Sequence, residues 1–281
     1  MVEIITDYGF CFGVENAIEK IIALKNSGKK IYLTHPLLHN IPENTRIMEE
    51  VHAQIYKDDI PLEKEDVIVL SAHGHAIEEE RHFSSICHIL DCTCPLIQSR
   101  YKIIKQFKED VSYLYLGKKN HQETIGFLSH FPYFQFLDSG KDVESQISSL
   151  VLKDKVCFVP QTTVSQSSWS KVRGLLQDHE IIQILPICPL YQKRSNQAIE
   201  RLSSVDSNKS VYLVCGDKSS SNAKEIHASI HEARKDIPGF IVLSKEDFPY
   251  ENFIGYDFYI ASATSVSRKT VENLKNQLEL L

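Results

Sequence analysis

Apolar and polar positions along the chain follow two periods in turn. Short, nearly continuous apolar runs at 30–34, 67–70, 112–117, 155–159, 210–216 and 257–261 have the length and the β-branched and aromatic content of buried strands. Between them the period lengthens to that of a helix. Val14, Ala17, Ile18, Ile21 and Ile22 share one helical face, with Gly28 placed to cap its end. A polar helix is expected over about 42–51, others after Pro95, over 191–202 and over 223–233, and a last one with Val271, Leu274, Leu278 and Leu281 on one face. Strands alternating with helices imply an α/β fold of mainly parallel sheets, covered on both faces, with polar groups gathered beyond the carboxyl ends of the strands.

Three of the strand-to-helix steps carry a cysteine. An apolar run from Glu3 leads to Cys11, one from Ile89 leads to Cys94-Pro95, and one from Ile181 leads to Cys188-Pro189. Roughly a third of the chain separates each from the next, and two strand-to-loop steps follow in each third. The first third has loops 35–40 and 71–74, the second 118–123 and 160–163, the last 217–222 and 262–265. The expected organisation is therefore three α/β units related by a pseudo-threefold axis around a common centre: 12–94, 95–188, and 189–281 closed by 1–11. The three cysteines would meet there, among loops bearing His39, His73, His121, Glu123, Thr162, Ser220, Asn222 and Ser265.

Composition narrows the class. The longest apolar runs are about eight residues, too short to span a bilayer, and no basic segment with a long apolar run opens the chain, so a cytoplasmic protein without a membrane partner is expected. The net charge of −6 and the lack of a basic block argue against nucleic acid, and an anionic substrate would need locally placed donors. Seven cysteines, an odd number without signs of secretion, do not suit a disulfide framework. Cys87, Cys157 and Cys215 read as small buried hydrophobes. Cys92, by alternation along 89–94, falls on the same face as Cys94 and reads as structural.

No C-x2-C pair occurs, which sets zinc fingers and ribbons aside. Widely spaced single cysteines suit an iron–sulfur cluster, and three of them would leave one iron of a four-iron cubane open to a substrate oxygen. From spacing alone, cysteines that merely end strands remain the competing reading.

The motifs Gly9-Phe-Cys-Phe-Gly-Val14, Leu38-His-Asn40, Ser71-Ala-His-Gly74, Thr93-Cys-Pro-Leu96, His121-x-Glu123, Gln161-Thr-Thr163, Ile187-Cys188 and Ser220-Ser-Asn222, in this order, resemble the 4-hydroxy-3-methylbut-2-enyl diphosphate reductase family. The likeness runs from Gly9 to Ser265. It implies three α/β units around a 4Fe-4S cluster held by Cys11, Cys94 and Cys188, with one open iron. His39, His73, His121, Ser220, Ser221, Asn222 and Ser265 would surround the substrate diphosphate, and Glu123 with Thr162 would supply its proton path. The implied reaction is reductive dehydroxylation in the non-mevalonate isoprenoid pathway, with ferredoxin or flavodoxin as external electron donor. No G-x-G-x-x-G follows a strand in this chain.

The chain departs from the family pattern at Gln122, Pro160, Leu190-Tyr191, Arg194-Ser195, Ala263-Thr264 and Val266-Ser267. Tyr191 and Ala263 would change the volume beside the cluster and the phosphate. Two alternatives therefore stay open: a divergent paralogue using the same cluster on another phosphorylated substrate, and a cluster-based sensor without catalysis.

Overall fold

A computed structural model of the chain describes residues 1–38, 40–107 and 109–281, so His39 lies outside the described residues. The chain opens with β1 (Val2–Ile4) and α1 (Phe12–Ile22). It continues through β2 (Ile31–Leu33), α2 (Ile41–Glu50), β3 (Ala53–Ile55), β4 (Val67–Leu70), α3 (Ile77–Ser84), β5 (His88–Asp91) and α4 (Pro95–Gln106). Next come β6 (Ser112–Gly117), α5 (Gln122–His130), β7 (Gln135–Asp138), α6 (Val143–Ser148), β8 (Lys155–Pro160), α7 (Gln166–Leu175), β9 (Glu180–Ile184) and α8 (Pro189–Leu202). The last elements are β10 (Ser210–Cys215), α9 (Ser221–Ala233), β11 (Gly239–Val242), β12 (Asp257–Ser262) and α10 (Arg268–Glu279).

Among the described residues every strand pairing is parallel, and the strands form three four-stranded sheets in one shared order. The sheets read β3-β2-β4-β5, β7-β6-β8-β9 and β11-β10-β12-β1. Each has its first strand in the middle, its second on one edge, and the strand leading to a cysteine on the other. In the third sheet that last place is taken by β1, from the start of the chain. The α/β class and the parallel sheets follow the expectation from the sequence.

By its internal contacts the chain divides into two compact units. One holds Met1–Glu15, Leu38–Ile47 and Pro189–Leu281; the other holds Asn16–Leu37 and Met48–Cys188. In the first, Val211, Leu213, Phe258 and Ile260 of the sheet pack with Val271, Leu274 and Leu278 of α10. In the second, Tyr115, Cys157 and Val159 pack with Ile97, Tyr101 and Ile104 of α4 and with the aromatic row Phe127, Phe131 and Phe134. A smaller cluster joins Tyr32, Ile68, Leu70 and Phe83.

Three expectations are corrected. The strand before Cys94 ends at Asp91, so alternation does not carry through to Cys92, which is fully buried while Cys94 is half-buried. α1 ends at Ile22 and a run of turns separates it from Gly28, which is therefore not its cap. Leu281 lies past the end of α10 and is exposed, outside the apolar face of Val271, Leu274 and Leu278. No helix among the described residues is long and apolar enough to cross a membrane.

Candidate active site

Cys11, Cys94 and Cys188 each stand one residue before a helix, α1, α4 and α8, and after the edge strand of their sheet. All three are half-buried and outside any disulfide. Each donates its backbone N–H to the carbonyl two residues past the end of the neighbouring strand: Cys11 to Thr264 at 2.9 Å beyond β12, Cys94 to Ala72 at 2.9 Å beyond β4, and Cys188 to Thr162 at 2.7 Å beyond β8. The fixed N–H sets the direction in which each side chain leaves the turn. Burial pushes the thiols of Cys92, Cys157 and Cys215 up to about 12 and also raises that of Cys87.

A second contact repeats with the same spacing. Arg194, six residues after Cys188, is buried and donates to the carbonyls of Ala263 at 2.7 Å and of Gly9, two residues before Cys11, at 2.8 Å. Arg100, six residues after Cys94, donates to the carbonyl of Pro160 at 2.5 Å and to that of Pro186, two residues before Cys188. Ala17, six residues after Cys11, offers its carbonyl to the thiol of Cys92, two residues before Cys94, at 3.9 Å. Cys92 is thus a strut of its turn. Both arginines lie on the apolar stripe of their helix, Arg100 among Ile97, Tyr101 and Ile104, and Arg194 among Tyr191, Ser195, Ala198 and Leu202. That placement is a sequence signal for function which the motif reading passed over.

In the unit containing Cys94 and Cys188, β6 and β8 end side by side, and Gln161 joins their loops. Its side-chain oxygen accepts from Lys118 N–H at 2.9 Å and from the Thr124 hydroxyl at 3.3 Å, and its amide donates to Thr163 at 2.9 Å. Across that join Glu123 accepts from Thr162 N–H at 2.7 Å and from the Thr162 hydroxyl at 2.6 Å. Glu123 is buried, and desolvation raises its carboxyl above the ordinary range, against the opposing pull of Arg100 and of the Thr162 donors. His121 caps α5, its Nδ1 accepting from Glu123 N–H at 3.2 Å, so Nε2–H is the donor it can offer outward. The His73 ring meets the His121 ring edge to face at 5.7 Å. His73 sits in a turn closed by Ser71, whose Oγ accepts its N–H at 3.3 Å, and Gly74 completes that turn at φ 89°, where a side chain would be strained.

In the other unit, Ser220, Ser221 and Asn222 form the start of α9. The Ser220 hydroxyl lies 3.5 Å from that of Ser265, and both residues are buried. Asn222 Oδ1 accepts from Thr264 N–H at 2.8 Å, which turns its amide NH2 away from that loop. Ser220 makes no side-chain cap to α9, so the first N–H groups of that helix keep their capacity for an anion. Tyr191 and Ala263, the departures that change volume, are both buried in this unit. Each sequence-predicted residue among those described thus lies at the carboxyl end of a strand or at the helix start that follows.

The donor set suits an iron–sulfur group. Three soft thiolate donors occur in one repeated setting, while the harder-to-ionise thiols are those sealed in apolar cores.

The family described as LytB protein matches residues 2–279. A 4-hydroxy-3-methylbut-2-enyl diphosphate reductase of Sulfurovum sp. is 27% identical over 285 residues, covering 100% of this chain and 99% of that protein. A solved structure of the E-1-hydroxy-2-methyl-but-2-enyl-4-diphosphate reductase from Plasmodium falciparum superposes with a TM-score of 0.83 at 24% identity, covering 98% of this chain and 87% of that one. A second, of an (E)-4-hydroxy-3-methyl-but-2-enyl diphosphate reductase described as the terminal enzyme of the non-mevalonate pathway, has a TM-score of 0.69 at 23% identity and full coverage of both chains.

Proposed function

The chain belongs to the LytB protein family, and on that premise we propose that it is a 4-hydroxy-3-methylbut-2-enyl diphosphate reductase of the non-mevalonate isoprenoid pathway. Two electrons and two protons replace the allylic C–OH bond by C–H, giving isopentenyl and dimethylallyl diphosphate and water. The observation that supports this most is the setting that Cys11, Cys94 and Cys188 share and the other four cysteines do not. These three residues would hold a 4Fe-4S cluster with one open iron, which when bound would supply Lewis acidity and electron transfer. The three-unit division 12–94, 95–188 and 189–281 with 1–11 is supported by the membership of the three sheets.

Glu123 is the proton donor. Its burial favours the protonated carboxyl, and Thr162 Oγ1, 2.6 Å from Glu123 Oε2, would relay the proton to the leaving oxygen. His73, His121, Ser220, Ser221, Asn222 and Ser265 are assigned to the diphosphate, as is His39 by resemblance alone. Several N–H and O–H donors are what a diphosphate requires in a chain of net charge −6. Electrons come from a cytoplasmic carrier of the ferredoxin or flavodoxin class, as the family resemblance implies.

The test is turnover by anaerobically reconstituted protein with a chemical reductant. Formation of both five-carbon diphosphates supports the assignment. A fully loaded cluster that leaves this substrate untouched overturns it, in favour of another phosphorylated substrate or a sensor.

A further inference from the structure

At the end of α5 farther from Glu123 lies a second cluster of ligating groups. His75, just before α3, Glu80 on α3 and His130, the last residue of α5, bring a ring nitrogen, a carboxylate oxygen and a ring nitrogen within 4.8 Å of one another. His75 is buried, and its Nε2 lies 3.4 Å from Glu80 Oε2. Both ring nitrogens of His130 are buried without a hydrogen-bond partner, as is the hydroxyl of Tyr101, whose ring lies 4.8 Å from that of His130. An imidazole with two lost hydrogen bonds is costly unless something occupies the space in front of it. His75, Glu80, Tyr101 and His130 line an open cleft of about 330 Å³.

We propose that His75, Glu80 and His130 form a binding site for a divalent transition-metal ion, Zn2+ by preference, separate from the three cysteines. Two imidazoles and one carboxylate are a borderline donor set that suits zinc and leaves a fourth position for water. The remaining features are those of a supported site. His75 Nδ1 lies 3.3 Å from Thr93 Oγ1 and 4.0 Å from Asp91 Oδ1, and Asp91 in turn accepts from Thr93 N–H at 2.8 Å. With Nδ1–H donating to Thr93, the Nε2 lone pair faces Glu80 and His130, the second-layer arrangement that fixes the tautomer of metal-bound histidines. Lys102 and Lys105 also line the cleft and oppose a cation, so the affinity rests on the three ligands at short range.

The ion would clamp α5 to the loop that carries His73. That contact is already close without it: Ile77 N–H donates to Ser129 Oγ at 3.0 Å, and a Cβ on Gly126 would stand 2.9 Å from the His75 carbonyl oxygen. Because α5 begins at His121 and Glu123, the metal would fix the helix that presents both.

The experiment uses full-length protein with its cluster loaded, freed of adventitious divalent ions. Zn2+ is titrated by calorimetry, and Co2+ is followed by its visible d–d bands. One ion per chain with nitrogen–oxygen ligation is expected, and Glu80→Gln and His130→Gln should each weaken it at least about 100-fold. Thr93→Val, which removes only the orienting partner, should weaken it by about 10- to 100-fold. His82→Gln, on the exposed side of α3, should leave it unchanged. The proposal is overturned if wild-type protein binds neither ion below millimolar concentration. It is equally overturned if the Co2+ spectrum shows sulfur-to-metal charge transfer, or if the Glu80 and His130 variants bind as wild type does.

Discussion

Burial raises the Glu123 carboxyl above its ordinary range, against the opposing pull of Arg100 and of the two Thr162 donors. Glu123→Gln keeps the shape and a hydrogen bond to Thr162 but has no proton to transfer. Turnover is expected to fall by about two to four orders of magnitude while substrate still binds, measured by steady-state assay and equilibrium binding. The same shift has a sign for stability. A carboxyl whose folded pKa is raised binds its proton more tightly folded than unfolded, so its contribution is complete below the ordinary carboxylate pKa. It is lost as pH rises through the folded value. Wild-type protein should therefore lose stability relative to Glu123→Gln between acid and neutral pH, read from urea denaturation at the two ends; a constant difference would mean that Glu123 does not titrate there.

Among the elements, the helices behind the cysteines hold more than their own turns. Arg100 and Arg194 each bring a buried charge to carbonyls on both sides of the next cysteine turn. Replacing either by Met leaves at least two carbonyls without their charged donor, at a cost of about 3 kcal/mol, and should reduce iron retention as well. Denaturation midpoints and iron content check both, and an unchanged iron content would make these arginines supports of the fold alone. Gly126→Ala should cost about 1 to 3 kcal/mol, because its Cβ would meet the His75 backbone rather than a movable side chain. The central strands were legible in the sequence because burial on both faces makes them continuous apolar runs, as at Val67–Leu70. The strands β3, β7 and β11 were not: each is the outer edge of its sheet and only partly buried, so its apolar residues are too few to set a period. Cys92 was misplaced for a related reason, since the strand stops one residue before it and the turn, not the pleat, directs its side chain.

At the scale of the whole chain, the repeat was visible as position and residue type but not as sequence identity. What recurs is a hydrogen bond from each cysteine N–H to the carbonyl two residues past a strand end, and backbone groups leave no mark on the choice of side chain. The loops were legible for the opposite reason: the residues proposed for the site, His73, His121, Glu123 and Asn222 among them, are distinguished by their side chains. The measurement that tests the account most directly is the Mössbauer spectrum of anaerobically reconstituted protein enriched in 57Fe. Three thiolates for four irons predict four irons per chain with one site distinct from the other three, and loss of that pattern on Cys11→Ser, Cys94→Ser or Cys188→Ser but not on Cys157→Ala. Four equivalent sites, a pattern that survives the three serine substitutions, or a protein that takes up zinc on its cysteines instead of iron would contradict it.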